Sequence, residues 1–138
     1  MYSFIKKNRI YALLIPLILY WIILFIGTSL PSDHVSGMIE VSDKLKHFGA
    51  YFILAFLLSL NLYFQERWKN LAFSPFIYAF LACTIYGVID ELHQILVPNR
   101  SAEFLDWLAD LSGSFVGVIF SALFLKYIKK NNSGLETN

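Results

Sequence analysis

The sequence predicts an all-α integral membrane protein, a four-helix bundle with both termini in the cytoplasm. Three observations support this fold class. Of the 138 residues, 57% are hydrophobic and only 15% are charged, against about 25% charged in a typical soluble domain. The apolar residues are collected into four long runs that are separated by polar stretches. Lysine and arginine are distributed unequally over those stretches, which predicts the orientation in the membrane.

The predicted spans comprise about residues 10–30, 44–64, 71–97 and 104–128 of a single domain that covers residues 1–138. A helix rises about 1.5 Å per residue, so runs of this length can cross a hydrocarbon layer about 30 Å thick. Ser42 and Asp43 are typical of a helix start, which places the beginning of the second span there. Residues 129–138 are predicted to form a polar tail.

The orientation follows from the basic residues. Cytoplasmic loops are enriched in lysine and arginine. The N-terminus, the turn at residues 65–70 and the C-terminal end carry eight of the 11 basic residues. The other three are Lys44, Lys46 and Arg100. We therefore expect a multi-pass protein of the plasma membrane, with the loops after the first and third spans outside the cytoplasm.

Several functional classes are disfavoured. The net charge is +1, so there is no basic footprint for nucleic acid. Cys83 is the only cysteine and cannot form an internal disulfide. Neither a cysteine pair nor a His-x-x-x-His motif is present, so the sequence predicts no metal and no cofactor, although Asp, Glu and His from three helices remain an alternative ligand set.

Polar residues are concentrated at the predicted outer ends of the last three spans. Residues 90–110 hold six charged residues between two apolar runs, and charge beside the hydrocarbon is costly and commonly marks function. Asp43, His47 and Tyr51 are spaced i, i+4, i+8 and share one helix face. Asp106, Asp110, Gly113 and Gly117 share another face, whose Gly-x-x-x-Gly half permits close helix packing. That packing is expected within the monomer, with homodimerisation as the alternative.

The same residues allow several functions. Buried acids need partners, and Arg100 is the expected cation among them, so a purely structural network is one interpretation. General acid–base chemistry is another, with His47, Asp90, Glu91 and His93 as catalytic candidates. Recognition of an anionic or amphiphilic ligand is a third. The ligand-binding candidates are Asp43, Lys44, His47, Tyr51, Asp90, Glu91, Gln94, Arg100, Asp106 and Asp110.

These positions carry a resemblance. Asp43-Lys44-x-x-His47-x-x-x-Tyr51 resembles the first motif of the VanZ-like family. The second and third motifs resemble Asp90-Glu91-x-x-Gln94-x-x-x-Pro98-x-Arg100 and Asp106-x-x-x-Asp110-x-x-Gly113, and Thr28-Ser29-Leu30-Pro31 resembles the end of that family's first span. Position 110 is Asp, where some members carry Asn.

The resemblance implies a small four-helix membrane protein, and the founding member of the family is associated with low-level resistance to teicoplanin. Our first hypothesis is a cell-envelope protein with an outward-facing polar pocket. Its expected partners are membrane lipids and a lipid-linked cell-wall precursor or lipoglycopeptide. The alternatives are an intramembrane enzyme that modifies a lipid headgroup with a His/carboxylate site, and a structural or interaction subunit without a ligand. The sequence leaves enzymatic activity and oligomeric state open.

Overall fold

The structure, a computed structural model, describes residues 1–31 and 43–133. All its regular elements are helices: α1 (Tyr2–Lys7), a π-helical segment (Ile10–Leu14), α2 (Ile15–Ser29), α3 (Asp43–Phe64), α4 (Lys69–Phe73), α5 (Pro75–Gln94) and α6 (Phe104–Ser133). Four helical stretches are long and apolar enough to cross a membrane: Ile10–Ser29, Asp43–Phe64, Pro75–Gln94 and Phe104–Asn132. The predicted four-helix membrane fold is therefore confirmed. Ser42, the predicted cap of the second span, lies outside the described residues.

Two local features shape the first and third spans. Proline cannot donate to the carbonyl four residues earlier, and its ring crowds that carbonyl. The π-helical turn Ile10–Leu14 ends two residues before Pro16 and closes with a hydrogen bond from the Ile15 N–H to the Ile10 carbonyl. In the third span, Ser74 is non-helical and Pro75 occupies the first turn, where a missing N–H costs nothing. The long helix therefore begins at Pro75 rather than residue 71, and residues 69–73 form the separate helix α4.

The fourth span is longer than the sequence predicted. Helix α6 continues to Ser133, past the expected end at residue 128. Ile128 is only 1% exposed and packs with Leu13, Leu60, Phe64 and Leu125 in one apolar cluster. That contact anchors the last turns of the helix, so residues 129–133 are helical and not part of a tail.

Helices α3, α5 and α6 form the centre of the bundle, and their contacts with each other are the most extensive. The apolar window of the first span is 17% buried, against 39%, 33% and 33% for the other three spans. Helix α2 therefore lies at the periphery of the three-helix core. Space for a ligand is most readily found along such a loosely packed helix.

The closest packing joins α3 and α6. A Cβ added at Gly113 or Gly117 would overlap the backbone carbonyl of Phe48 or Phe52. Only glycine permits this approach of two backbones. Packing of the Gly-x-x-x-Gly face within the monomer, as predicted, is confirmed.

The chain crosses the bundle four times, so the N-terminus and the end of α6 lie at the same end. Ser3 Oγ donates to Asn132 Oδ1 at 3.0 Å, and Lys6 lies 3.7 Å from Glu66 in the connection between α3 and α4. The starts of α3 and α6 and the end of α5 therefore meet at the opposite end. The helix bundle itself thus gathers the polar residues of the last three spans at one end.

Candidate functional site

A buried histidine–carboxylate pair lies at the centre of the polar end. His47 Nδ1 of α3 is 2.9 Å from Asp110 Oδ1 of α6, and Glu91 Oε1 of α5 is 3.9 Å from the same nitrogen. His47 is 8% exposed, Glu91 6% and Asp110 0%. When Asp110 is ionised it only accepts hydrogen bonds, so His47 Nδ1–H is then the donor and the bond fixes the ring orientation. Three helices thus contribute to one water-poor polar centre.

A second set of contacts links α3 to the start of α6. Lys44 Nζ lies 3.0 Å from both Asp106 Oδ1 and Glu103 Oε2. Glu91 Oε2 accepts the backbone N–H of Glu103 at 2.8 Å. That N–H precedes the first turn of α6, where helix donors have no partner within the helix. Glu91 therefore caps α6 with one oxygen and faces His47 with the other.

Arg100 is bonded differently from the sequence expectation. Its Nε–H donates to the carbonyl of Leu30 at 2.9 Å, and Nη2 donates to the carbonyl of Gly27 at 3.3 Å. Nη1 donates to Gln94 Oε1 at 3.2 Å, and Gln94 Nε2 is 3.4 Å from Asp90 Oδ2. All three acceptors are neutral oxygen atoms instead of the expected carboxylates. Arg100 thus ties the end of the first span to the polar end of the bundle.

A cavity of about 410 Å³ lies between the first span and helices α3 and α5. Its apolar lining includes Tyr20, Ile23, Leu24, Ala50 and Tyr51. Its charged and polar lining consists of Thr28, Asp43, Lys46, His47, Asp90 and Arg100. The part of the cavity that runs along the spans is thus apolar, and the part near the loops is lined by charged side chains.

The candidate residues predicted from the sequence lie in two places, the cavity and the network around His47. Asp43, His47, Tyr51, Asp90 and Arg100 line the cavity, and Gln94 bonds to two of them. The remaining candidates, Lys44, Glu91, Asp106 and Asp110, lie in or beside the network around His47. His47 belongs to both groups and connects them.

Two candidates lie away from the buried centre. His93 is not beside His47: its ring stacks on Phe25 at 5.1 Å, and Nε2 lies 3.0 Å from Ser29 Oγ. It therefore joins α5 to the first span. Asp43 is exposed and pairs with Lys46 at 3.2 Å. Of the two catalytic histidine candidates, only His47 has a carboxylate partner among the described residues.

Several contributors were missed by the sequence analysis. Lys46 lines the same cavity as Arg100 and pairs with Asp43, whereas Lys44 is absent from the cavity lining and pairs with Glu103 and Asp106. Gly87 makes room for the buried acid, because a Cβ there would lie 3.2 Å from Asp110 Oδ2. Gly27 and Leu30 contribute backbone carbonyls to Arg100. In the sequence, only the Thr28-Ser29-Leu30-Pro31 pattern indicated this region. Every residue has a backbone carbonyl, so the sequence does not show which of them accept hydrogen bonds.

The order of these motif residues along the chain agrees with one family. The sequence profile described as VanZ/LLP1 matches residues 5–125. The chain belongs to the VanZ/LLP1 family. No curated protein and no solved structure matches the chain. The VanZ-like resemblance seen in the motifs is thereby confirmed, and the protein is a VanZ-family membrane protein. All three VanZ-like motifs contribute side chains to the polar end of the bundle.

Proposed function

We propose that this VanZ-family protein binds an amphiphilic ligand of the cell envelope in the cavity between the first span and helices α3 and α5. The observation that carries the proposal is the polarity of the cavity. Its walls along the spans are apolar, and its end towards the loops holds Lys46, His47 and Arg100 together with the carboxylates of Asp43 and Asp90. An amphiphile with a hydrocarbon tail and an anionic headgroup has the same two parts.

The headgroup would meet Lys46 and Arg100. A guanidinium has five N–H donors, and the bonds to Leu30, Gly27 and Gln94 use three of them. The other donors suit a phosphate or carboxylate oxygen, since charge-assisted bonds of this type are strong. Asp43 and Asp90 would hold the cations in place, and Tyr51 would line the tail region.

The predicted orientation places the cavity mouth on the outer face of the plasma membrane. Ligands of the right chemistry at that face include a lipid-linked cell-wall precursor and a lipoglycopeptide. Binding of either would alter its access to the cell-wall machinery. A link to teicoplanin-type resistance is therefore part of the proposal, and lipids of the membrane are its other partners.

A cavity-filling variant tests the proposal. A Cβ at Gly27 meets nothing within 4 Å, and Gly27 lines the cavity, so Gly27→Leu fills space without displacing the backbone. Gly49→Leu is the matched control, because a Cβ at Gly49 also meets nothing within 4 Å and Gly49 is absent from the cavity lining. The probe is farnesyl phosphate, with farnesol as its uncharged counterpart, titrated into the purified protein in detergent.

We expect wild type and Gly49→Leu to bind farnesyl phosphate more tightly than farnesol, and Gly27→Leu to lose at least about tenfold in affinity. Teicoplanin susceptibility of cells expressing each variant should follow the same order. Equal binding by Gly27→Leu and wild type would exclude this cavity as the site. Equal affinity for farnesol and farnesyl phosphate would remove the role of the cationic end.

An enzymatic function is favoured by one specific contact. His47 lines the cavity while its Nδ1 is fixed by buried Asp110. A histidine oriented by a carboxylate is the arrangement of many general bases. If the protein modifies a headgroup, His47→Gln should abolish turnover of a phosphorylated lipid while farnesyl phosphate still binds. Unchanged turnover in His47→Gln would exclude this residue as the base.

A further inference from the structure

Three carboxylate and imidazole side chains from different helices converge beside the cavity. A ring nitrogen of His47, a carboxylate oxygen of Glu91 and one of Asp106 all lie within 4.8 Å of one another. The three side chains come from α3, α5 and α6, and the residues are 8%, 6% and 5% exposed. Two ligands that each lie about 2 Å from one ion are at most about 4 Å apart, so a small inward movement of these side chains would let them share an ion.

One oxygen of this cluster has no partner among the described residues. Glu91 Oε2 accepts the Glu103 N–H, but Oε1 is buried without a hydrogen bond. It faces His47 Nδ1 at 3.9 Å, which is beyond hydrogen-bond distance. A buried carboxylate oxygen without a partner is costly, and an ion is one of the ordinary ways to satisfy it.

The charges of the surrounding groups also favour a bound cation. Asp90, Glu91, Asp106 and Asp110 are all buried. Lys44 is shared between Asp106 and the more exposed Glu103, and the guanidinium of Arg100 is bonded to neutral oxygen atoms. With these carboxylates ionised and His47 neutral, the negative charge exceeds the positive charge bonded to it, and a divalent cation would offset the difference.

We propose that His47, Glu91 and Asp106 bind one divalent transition-metal ion, such as Zn²⁺ or Mn²⁺. A set of one imidazole and two carboxylates suits these ions better than Mg²⁺ or Ca²⁺, which prefer oxygen ligands alone. Lys44 contacts Asp106 Oδ1, which leaves Oδ2 for the metal.

Asp110 has the position of the supporting carboxylate in such a site. Metal-bound histidines usually bond their second ring nitrogen to a carboxylate or carbonyl, which fixes the ring. An ion at His47 Nε2 leaves the 2.9 Å contact between Nδ1 and Asp110 intact. An ion at Nδ1 takes Asp110 as an additional oxygen ligand. The metal site does not require a ligand in the cavity, so metal binding and binding of the envelope ligand can be tested separately.

Calorimetric titration of the full-length protein, stripped with EDTA in detergent, tests the site. We expect close to one Zn²⁺ or Mn²⁺ per chain and no saturable binding of Mg²⁺. Glu91→Gln and Asp106→Asn should each weaken binding by at least about tenfold, because the loss of even an outer-shell partner of a metal ligand typically costs that much. Glu103→Gln is the matched control, because Glu103 contacts Lys44 but is outside the three-residue cluster, and it should keep the wild-type affinity.

Two results would overturn the proposal. One is the absence of saturable Zn²⁺ and Mn²⁺ binding to wild type. The other is an unchanged affinity in Glu91→Gln and Asp106→Asn, which would mean an adventitious ion elsewhere. If both variants fail to fold, X-ray absorption of Zn²⁺-loaded wild type decides. One imidazole nitrogen with oxygen neighbours is expected, and a shell without nitrogen would refute the site.

Discussion

The Nε–H of Arg100 donates to the backbone carbonyl of Leu30 at 2.9 Å, although the two residues are 70 positions apart in the chain. The bond joins the loop after the third span to the end of the first span. The first span is the least buried of the four, and this bond is one of the contacts that hold it against the bundle. Arg100 therefore holds the first span against the cavity and also contributes a positive charge to the cavity lining.

Substitutions of Arg100 should distinguish the effect of its positive charge from the effect of its hydrogen-bond geometry. Arg100→Lys keeps the charge, but its three N–H donors are all on one nitrogen and cannot reproduce the bonds that three separate guanidinium nitrogens make. We expect Arg100→Lys to fold and insert yet lose most ligand binding. Arg100→Ala should in addition destabilise the protein by about 1–3 kcal/mol, as hydrogen bonds to a charged group are removed.

Thermal unfolding in detergent and farnesyl phosphate titration measure the two effects. Arg67→Ala is the control, because Arg67 is exposed at the opposite end and contacts the ring of Trp68. Full binding by Arg100→Lys would show that a point charge is enough.

The pair of His47 and Asp110 predicts a contrast between two substitutions at one position. Asp110→Asn retains an oxygen that accepts from His47 Nδ1–H and has nearly the same volume. It should therefore change stability little. Asp110→Leu leaves that donor buried without a partner, which costs about 1–3 kcal/mol. The midpoints of thermal unfolding report the difference, and equal stability of both variants would argue against the hydrogen bond.

The contact between α3 and α6 predicts a position-dependent effect of alanine. At Gly113 and Gly117 the new Cβ overlaps a backbone carbonyl of Phe48 or Phe52, which cannot rotate away as a side chain can. Each substitution should destabilise the protein by roughly 1–3 kcal/mol, as overpacking does. Gly49→Ala is the matched helical control, because its Cβ meets nothing within 4 Å. Helix propensity favours alanine over glycine, so Gly49→Ala should keep or raise the stability, and a loss at Gly49 equal to that at Gly113 would contradict the packing explanation.

The orientation predicts opposite labelling of the two ends. Ser101→Cys lies in the exposed loop between α5 and α6, and Asn70→Cys is exposed at the end that holds both termini. An impermeant thiol reagent added to intact cells should label Ser101→Cys and not Asn70→Cys. Cys83 is buried at 1% exposure and should react in neither. The reverse pattern would move the polar end to the cytoplasm.

Patterns along the chain were enough to predict much of the site. The spacing of Asp43, His47 and Tyr51 placed them on one helix face, and all three line the cavity. The Gly113 and Gly117 pair predicted close packing, but the partner backbone at Phe48 and Phe52 was not predictable. Helix spacing fixes which residues share a face, whereas the rotation of each helix depends on residues far away in the chain.

Hydrophobic run length and helical periodicity are local properties, so the sequence by itself determined the membrane class, the four spans and the collection of polar residues at one end. The tertiary structure alone decided that Asp110 is the partner of His47 and that Arg100 bonds backbone carbonyls. It also decided that Lys46 lines the cavity while Lys44 lies outside the cavity lining, and that the His93 ring contacts the first span. These contacts depend on how side chains of distant helices interlock, and no single segment contains that information.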